Sequence, residues 1–60
     1  MEEGDTITFL YNGTQRHLWV ETIDWDDELV TGKLQHPEAN CGEYRSFKLD
    51  NMSHIELVNN

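Results

Sequence analysis

The apolar residues of this 60-residue chain fall in short alternating runs separated by turn-forming residues, and they seldom follow the 3.6-residue spacing of a helix. Alternation with a period of two places one set of side chains on a single face of a strand, so the pattern predicts an all-β fold. The predicted strands cover residues 5–11, 14–25, 29–35, 43–49 and 54–58, with one helical turn at residues 50–53 before the last strand.

The Asn12-Gly13 pair predicts a two-residue hairpin loop, because both residues tolerate the positive φ angles that such a turn needs. A loop of this length fixes the register of the two strands that it joins. The register pairs Tyr11 with Thr14, Phe9 with Arg16, and Ile7 with Leu18. The core face of the second strand then carries Arg16, Leu18 and Val20, and the opposite face carries His17, Trp19, Glu21 and Ile23.

Arg45 alternates with Phe47 and Leu49, so the fourth strand also places an arginine in phase with the core. Burying an unpaired charge is costly, but both arginines lie near strand starts, where the guanidinium can reach solvent. One interpretation is a bidentate clamp for an anion or phosphate. The other is structural: an ion pair with Glu43, Asp50 or Glu21, or an arginine stem packed over Phe9.

Five short strands with a helical turn before the last predict a small, strongly bent barrel of the SH3-like or Sm-like kind, since closure hides exposed sheet edges. Gly32 is expected at a bulge or sharp bend, and Ile55 and Leu57 are expected to point inward. Side chains fill a barrel of this size, so a site would lie at a mouth or on an outer face. We expect one domain over residues 1–60, with an acidic tail at 1–5 and a C-terminal tail at 59–60.

The charge of the chain narrows the range of partners. Twelve acidic residues against four basic ones give a net charge of −8, which disfavours nucleic acid, because binding it depends on neutralising phosphates with Lys and Arg. The acidic surface either keeps a small protein soluble or competes for a basic groove on a partner. The densest acidic run, at residues 24–28, is expected to be a solvated turn or an acidic docking patch.

Groups that carry chemistry are sparse. Cys41 is the only cysteine, so no intrachain disulfide can form, which favours a cytoplasmic protein. Its spacing to the histidines matches no zinc motif, and no nucleophile–base pair or phosphate-binding glycine loop stands out. No apolar run reaches the ~20 residues of a membrane span. We therefore predict a non-enzymatic protein without cofactor, metal or membrane contact.

Residues 9–18 (FLYNGTQRHL) and 44–52 (YRSFKLDNM) together resemble the WYL-type ligand-sensing domain of bacterial and phage regulators. The matching residues are Tyr11, Gly13, Arg16, Arg45, Phe47, Leu49 and Asp50. The Trp-Tyr-Leu tripeptide and a helix-turn-helix region are absent, and Asn51 stands where the family has another arginine. The resemblance implies an Sm-like barrel with a positively lined patch that binds nucleotides, single-stranded nucleic acid or another anionic effector in a bacterial or phage setting.

Two functional hypotheses follow. The favoured one is a regulatory binding module, such as a phage-type accessory factor or inhibitor, that contacts a protein partner. The residues predicted for that contact are Trp19, Asp24, Asp26, Asp27 and Glu28. The alternative is a WYL-like sensor of an anionic ligand at an arginine-lined barrel mouth formed by Arg16, Arg45, Tyr11, Tyr44 and Lys48. Pairing of edge strands into a homodimer is left open.

Overall fold

The computed structural model of the protein describes residues 1–58. Its elements are β1 (Thr6–Tyr11), β2 (Thr14–Asp24), β3 (Leu29–Leu34), β4 (Tyr44–Lys48), a 3-10 helix (Leu49–Asn51) and β5 (Met52–Leu57). The predicted all-β class with one helical turn before the last strand is confirmed, although the turn begins one residue earlier than predicted. The predicted tail at 59–60 lies outside the described residues. No helix within residues 1–58 has the length and apolar character needed to cross a membrane.

The five strands form one antiparallel sheet in the order β4-β3-β2-β1-β5. In the described part of the chain the two edge strands, β4 and β5, do not pair with each other, so the sheet is not a closed barrel. Phe9 on β1 and Phe47 on β4 nevertheless touch, with ring centroids 5.1 Å apart. In a flat sheet these strands would lie about 14 Å apart, so the sheet bends strongly around its core.

The β1–β2 hairpin has the register that the Asn12-Gly13 turn predicts. Tyr11 pairs with Thr14, Phe9 with Arg16, and Ile7 with Leu18. Asn12 and Gly13 both adopt positive φ angles, 52° and 80°, as the tight turns that match strand twist require. The turn therefore sets which side chains of β2 enter the core, and it brings Arg16 to the core face.

Eight side chains form the hydrophobic core: Ile7, Phe9, Leu18, Val20, Val30, Leu34, Phe47 and Met52. A β-bulge interrupts β2 between Val20 and Thr22. Because the extra residue reverses the alternation of side chains beyond it, Ile23 returns to the core face and packs against the core. The prediction that Ile23 shares a face with Trp19 was therefore wrong. Gly32 lies beside the bulge, where an added Cβ would overlap the carbonyl oxygen of Trp19.

The last strand departs from its predicted orientation. Ile55 is 41% exposed and Leu57 is 57% exposed, so the prediction that both point inward was wrong. A second bulge shifts the β1–β5 register between Thr8 and Leu10. His54 adopts a φ of +51°, which breaks the regular alternation along β5, and no other strand of residues 1–58 pairs with the outer edge of β5. Met52, at the start of the strand, supplies the buried side chain instead.

Candidate functional site

Arg16 lies over an aromatic group on the core face of the sheet. Its guanidinium carbon is 5.1 Å from the ring centroid of Phe47, and Tyr11 packs edge-on against the same ring, with centroids 4.9 Å apart. The Arg16 side chain is 24% exposed. Its stem therefore covers apolar surface while the charged head interacts with the face of the ring.

Glu38, in the connection between β3 and β4, supplies the counter-charge of Arg16. Its Oε2 accepts hydrogen bonds from Arg16 Nε at 3.3 Å and from the backbone N–H of His17 at 2.8 Å, and lies 3.3 Å from His17 Nδ1. Tyr11, Arg16, Glu38 and Phe47 are termed the arginine–aromatic cluster below. The ion-pair interpretation thus describes Arg16, although with a carboxylate that the sequence did not single out.

Strand register explains how Glu38 reaches this position. The β2–β3 ladder pairs Leu18 with Leu34, and Gln35 N–H then donates to the carbonyl of His17 at 3.0 Å. The chain leaving β3 therefore passes beside His17, whose backbone N–H donates a hydrogen bond to the carboxylate of Glu38 in place of a ladder partner. Locating Glu38 from sequence would have required the β2–β3 register, which the bulge in β2 shifts by one residue.

Glu38 is held in its ionised form. Burial raises the pKa of this carboxyl, but hydrogen bonds from the backbone and ring of His17, together with the charge and hydrogen bond of Arg16, outweigh burial and lower the pKa below its ordinary value. The carboxylate therefore neutralises Arg16 at neutral pH. Glu38 thus offsets the charge of Arg16 and accepts a hydrogen bond from its Nε, which opposes the binding of an external anion there.

Arg45 forms its own, more exposed ion pair. Its Nη2 lies 2.9 Å from Oε1 of Glu43, and the two side chains are 40% and 54% exposed. Its Nη1 also donates to the carbonyl of Tyr44 at 3.1 Å. Glu43 is one of the partners considered from the sequence. A pair this exposed contributes little to stability.

The five residues predicted for an anion site are divided between two places. Tyr11 and Arg16 meet at Phe47, where the Tyr11 hydroxyl also accepts a hydrogen bond from the backbone N–H of Lys48 at 3.2 Å. The exposed side chains of Tyr44 and Lys48 alternate with that of Arg45 along β4 and lie on the opposite face of the strand. The anion clamp therefore stays a prediction.

Residues 24–28, which comprise the last residue of β2 and its connection to β3, are termed the acidic tip. Oδ1 of Asp24 accepts hydrogen bonds from the backbone N–H groups of Asp26 at 3.1 Å and Asp27 at 3.0 Å. Glu28 adopts a φ of +56°, and its carbonyl accepts a hydrogen bond from Leu49 N–H at 2.9 Å. These contacts define the turn and attach it to the 3-10 helix, so the acidic tip has a fixed shape.

The two tryptophans differ in exposure. Trp19, which the sequence predicts as a partner contact, is half-buried on the outer face of β2 between Thr6 and Lys33. Trp25, in the acidic tip, is 66% exposed, the highest exposure among the large apolar side chains of residues 1–58. The sequence contains a signal for this difference, because Trp25 stands within a run of acidic residues that must face water. The residues predicted for partner contact nevertheless include Trp19 and not Trp25.

No cation in the described part of the chain pairs with a carboxylate of the acidic tip. Within residues 1–58 the ion pairs join Arg16 and His17 to Glu38, and Arg45 to Glu43. Asp50, on the 3-10 helix, adds another carboxylate: its hydrogen bond to Glu28 and its negative charge raise the pKa of Glu28 above the ordinary value. The acidic tip therefore presents a strongly negative, uncompensated surface.

Metal-binding and nucleophilic groups are dispersed over the molecule. No group of three or more His, Cys, Asp or Glu side chains within residues 1–58 is arranged to hold a metal ion. Cys41 is a free thiol on the surface of the β3–β4 connection. The geometry that distinguishes this molecule is thus the contrast between paired arginines and an unpaired acidic tip.

Comparison with protein-family models, curated proteins and solved structures finds no match to the chain. The resemblance to WYL-type domains therefore stays a prediction, and the function must be argued from the geometry of the acidic tip and the arginine–aromatic cluster.

Proposed function

We propose that the protein is a non-enzymatic regulatory binding module that contacts a protein partner through the acidic tip. The observation that carries this proposal is Trp25, an aromatic side chain 66% exposed and flanked by carboxylates that no cation of residues 1–58 pairs with. Tryptophan is among the residues that most often dominate binding energy in protein interfaces. Trp25 therefore replaces Trp19 as the principal aromatic contact of the predicted set.

The partner is a protein with a basic surface that contacts Trp25. Carboxylates around Trp25 attract such a surface over long range and exclude acidic competitors. They also repel the phosphates of nucleic acid, whose binding requires positive charge. Because the acidic tip is anchored through Asp24 and Glu28, it loses little conformational freedom on binding, which favours affinity.

The alternative function is the binding of a small anion, nucleotide or single-stranded nucleic acid at Arg16 and Arg45. The position of Tyr11 and Arg16 around the buried Phe47 supports it, since an exposed aromatic ring beside arginine stacks well with a base. The carboxylates of Glu38 and Glu43 oppose it, because each already forms an ion pair with one of the two arginines. Protein contact is therefore the better-supported proposal.

The SH3-like or Sm-like assignment belongs to the same proposal. It is supported by the consecutive pairing of β1 to β4, the pairing of β5 with β1, the strong bend of the sheet and the helical turn between β4 and β5. Cross-strand nuclear Overhauser contacts between β4 and β5 would be required for a closed barrel. Their absence in solution would leave an open, bent sheet.

Affinity capture from cells of the native host tests the proposed function. The immobilised chain would be compared with Trp25→Ala and with the charge reversal Asp26→Lys/Asp27→Lys. A reversal of two exposed acids elsewhere, Glu21→Lys/Glu56→Lys, is the matched control for net charge. We expect proteins retained by the natural chain and the control to be lost with both variants of the acidic tip. Equal retention by all four chains would contradict the proposal.

Capture of oligonucleotides in the same experiment tests the alternative. Binding that disappears with Arg16→Ala/Arg45→Ala, and that persists with both variants of the acidic tip, would favour the anion site. We expect no oligonucleotide to be retained by the natural chain, because the net charge of −8 opposes phosphate binding.

A further inference from the structure

A shallow, open concavity lies where the N-terminal segment meets the far end of β2, beside the acidic tip. It is lined by Glu3, Thr22, Ile23, Asp24, Trp25 and Asp26. Ile23 gives it an apolar floor that is continuous with the core, and Trp25 gives it an aromatic wall. Carboxylates from two separate parts of the chain, Glu3 and the acidic tip, complete its rim.

The N-terminal segment is fixed in place by hydrogen bonds to β2. Gly4 N–H donates to the carbonyl of Val20 at 2.7 Å, and Val20 N–H donates to the carbonyl of Asp5 at 2.8 Å. Oε2 of Glu3 accepts a hydrogen bond from the backbone N–H of Ile23 at 3.0 Å. Residues 1–5, predicted to be a tail, are thus hydrogen-bonded to β2, and Glu3 among them lines one side of the concavity.

The bulge in β2 creates the apolar floor. Without the extra residue between Val20 and Thr22, Ile23 would lie on the face opposite the core. With it, Ile23 turns toward the core and is half-buried beneath the concavity. The concavity therefore combines an apolar floor, an aromatic wall and negative charge within a single small depression.

An arginine side chain matches these three elements. Its planar guanidinium stacks on an aromatic face and donates several N–H groups to carboxylates at once, and its aliphatic stem packs on apolar surface. A lysine ammonium is more strongly hydrated and lacks the planar fork. An anion would be repelled by Glu3, Asp24 and Asp26.

We propose that this concavity binds an arginine side chain from a basic segment of a partner protein. The inference rests on the proposed function for the identity of the partner as a protein, and it adds the residue type that the surface recognises. Trp25 stacks on the guanidinium, Ile23 contacts the stem, and the carboxylates of Glu3 and Asp26 accept its N–H groups.

Titration with matched peptides tests the proposal. The probes are N-acetylated, C-amidated pentapeptides with a central arginine, lysine or citrulline flanked by glycines, so that only the charge and shape of one side chain differ. The readout is the indole N–H signal of Trp25 in a ¹⁵N-correlated spectrum of the full chain, assigned with Trp25→Phe. We expect saturable shifts of Trp25 and of the Ile23 amide with the arginine peptide, roughly tenfold weaker binding of the lysine peptide, and no saturation with the neutral citrulline peptide.

Glu3→Gln isolates the carboxylate of the N-terminal segment. Glutamine keeps an oxygen that can accept the hydrogen bond from Ile23 N–H, so the concavity retains its shape while one charge is lost. We expect the arginine peptide to bind roughly fivefold more weakly to Glu3→Gln. Glu56→Gln, the same charge change on exposed β5, should leave its affinity unaltered.

Equal affinity for the arginine and citrulline peptides, or equal weakening by Glu3→Gln and Glu56→Gln, would overturn the inference. Such a result together with loss of partner capture by Asp26→Lys/Asp27→Lys would leave the proposed function intact. The reverse result, specific binding of the arginine peptide with capture unaffected by the charge reversal, would uphold the site and refute the proposed function.

Discussion

The arginine–aromatic cluster and the acidic tip both contain aromatic and charged side chains. These side chains pack against one another in the cluster and are exposed in the acidic tip. In the cluster, Arg16 forms an ion pair with Glu38, and its guanidinium lies over the ring of Phe47. In the acidic tip, Trp25 is exposed and its neighbouring carboxylates pair with no cation of residues 1–58. Groups that are satisfied internally stabilise the fold, whereas exposed and unmatched groups are available to a partner.

The carboxylates of the β3–β4 connection and those of the acidic tip therefore differ in whether an arginine pairs with them. With four basic residues against twelve acidic ones, only a minority of the carboxylates can be paired. The two arginines pair with Glu38 and Glu43, which follow β3 and precede β4. The proposed function assigns the carboxylates of the acidic tip to contact with a partner.

Phe47→Ala has the largest expected effect. Phe47 is 4% exposed and contacts Phe9, Tyr11 and Arg16. Truncating a buried phenylalanine costs about 3–5 kcal/mol, which equals the net stability of ~3–5 kcal/mol expected for a domain of this size. We expect Phe47→Ala to be largely unfolded at 25 °C by circular dichroism and proton chemical-shift dispersion.

Trp25→Ala is the matched aromatic truncation at the acidic tip. Because Trp25 is mostly exposed, its removal should change the free energy of unfolding by no more than about 0.5 kcal/mol. Comparable destabilisation by Trp25→Ala and Phe47→Ala would break the distinction between a stabilising cluster and a contact surface.

Glu38→Ala should be the next most destabilising change. It leaves the half-buried N–H of His17 and the guanidinium of Arg16 without their acceptor, at an expected cost of about 1–3 kcal/mol in the free energy of unfolding. Glu43→Ala, which removes the exposed partner of Arg45, should cost less than about 0.5 kcal/mol. Urea unfolding of both variants checks the ranking, and equal costs would contradict it.

The β1–β2 hairpin and the all-β class could be predicted from sequence because a tight turn and strict alternation determine them locally. Asn12-Gly13 fixed the position of Arg16 to the residue. The bulge in β2 could not be predicted in the same way, since it depends on how closely Gly32 of β3 approaches β2 at Trp19. The orientation of Ile23 and the contact of Glu38 both follow from that bulged register, so both were missed.

The predicted orientation of β5 was wrong for a related reason. Alternation indicated that Ile55 and Leu57 face inward, but burial of an edge strand depends on whether another element covers it. In the described chain nothing pairs with the outer edge of β5, and the irregularity at His54 alters its alternation. Closure of the sheet into a barrel could not be decided from strand count alone.

The pH dependence of stability provides a finer test of the arginine–aromatic cluster. The folded-state pKa of Glu38 is lowered from 4.5, so its ionised form contributes stability that is complete above pH 4.5 and is lost as the pH falls through the folded-state pKa. Glu38→Gln should therefore flatten the dependence of the urea midpoint on pH in the acidic range. An unchanged pH profile would show that Glu38 does not contribute in this way.

Asp50→Asn should have the smallest effect, and of opposite sign. Asp50 raises the pKa of Glu28, so the folded protein holds that proton more tightly than the unfolded chain and is destabilised at pH values above both pKa values. Removing the charge of Asp50 should slightly raise the urea midpoint at pH 7, and the gain should disappear in acid. Carboxyl ¹³C titration of Glu28 measures the accompanying fall in its pKa, and an unaltered titration would contradict the pairing.

The most direct test of the proposed function is an amide chemical-shift map of the isotope-labelled chain bound to a captured partner. We predict that the largest shifts and line broadening occur at residues 24–28 and at Ile23, with Arg16, His17 and Arg45 little affected. Shifts centred on Arg16, His17 and Arg45, with residues 24–28 unchanged, would contradict the assignment of the acidic tip as the contact surface.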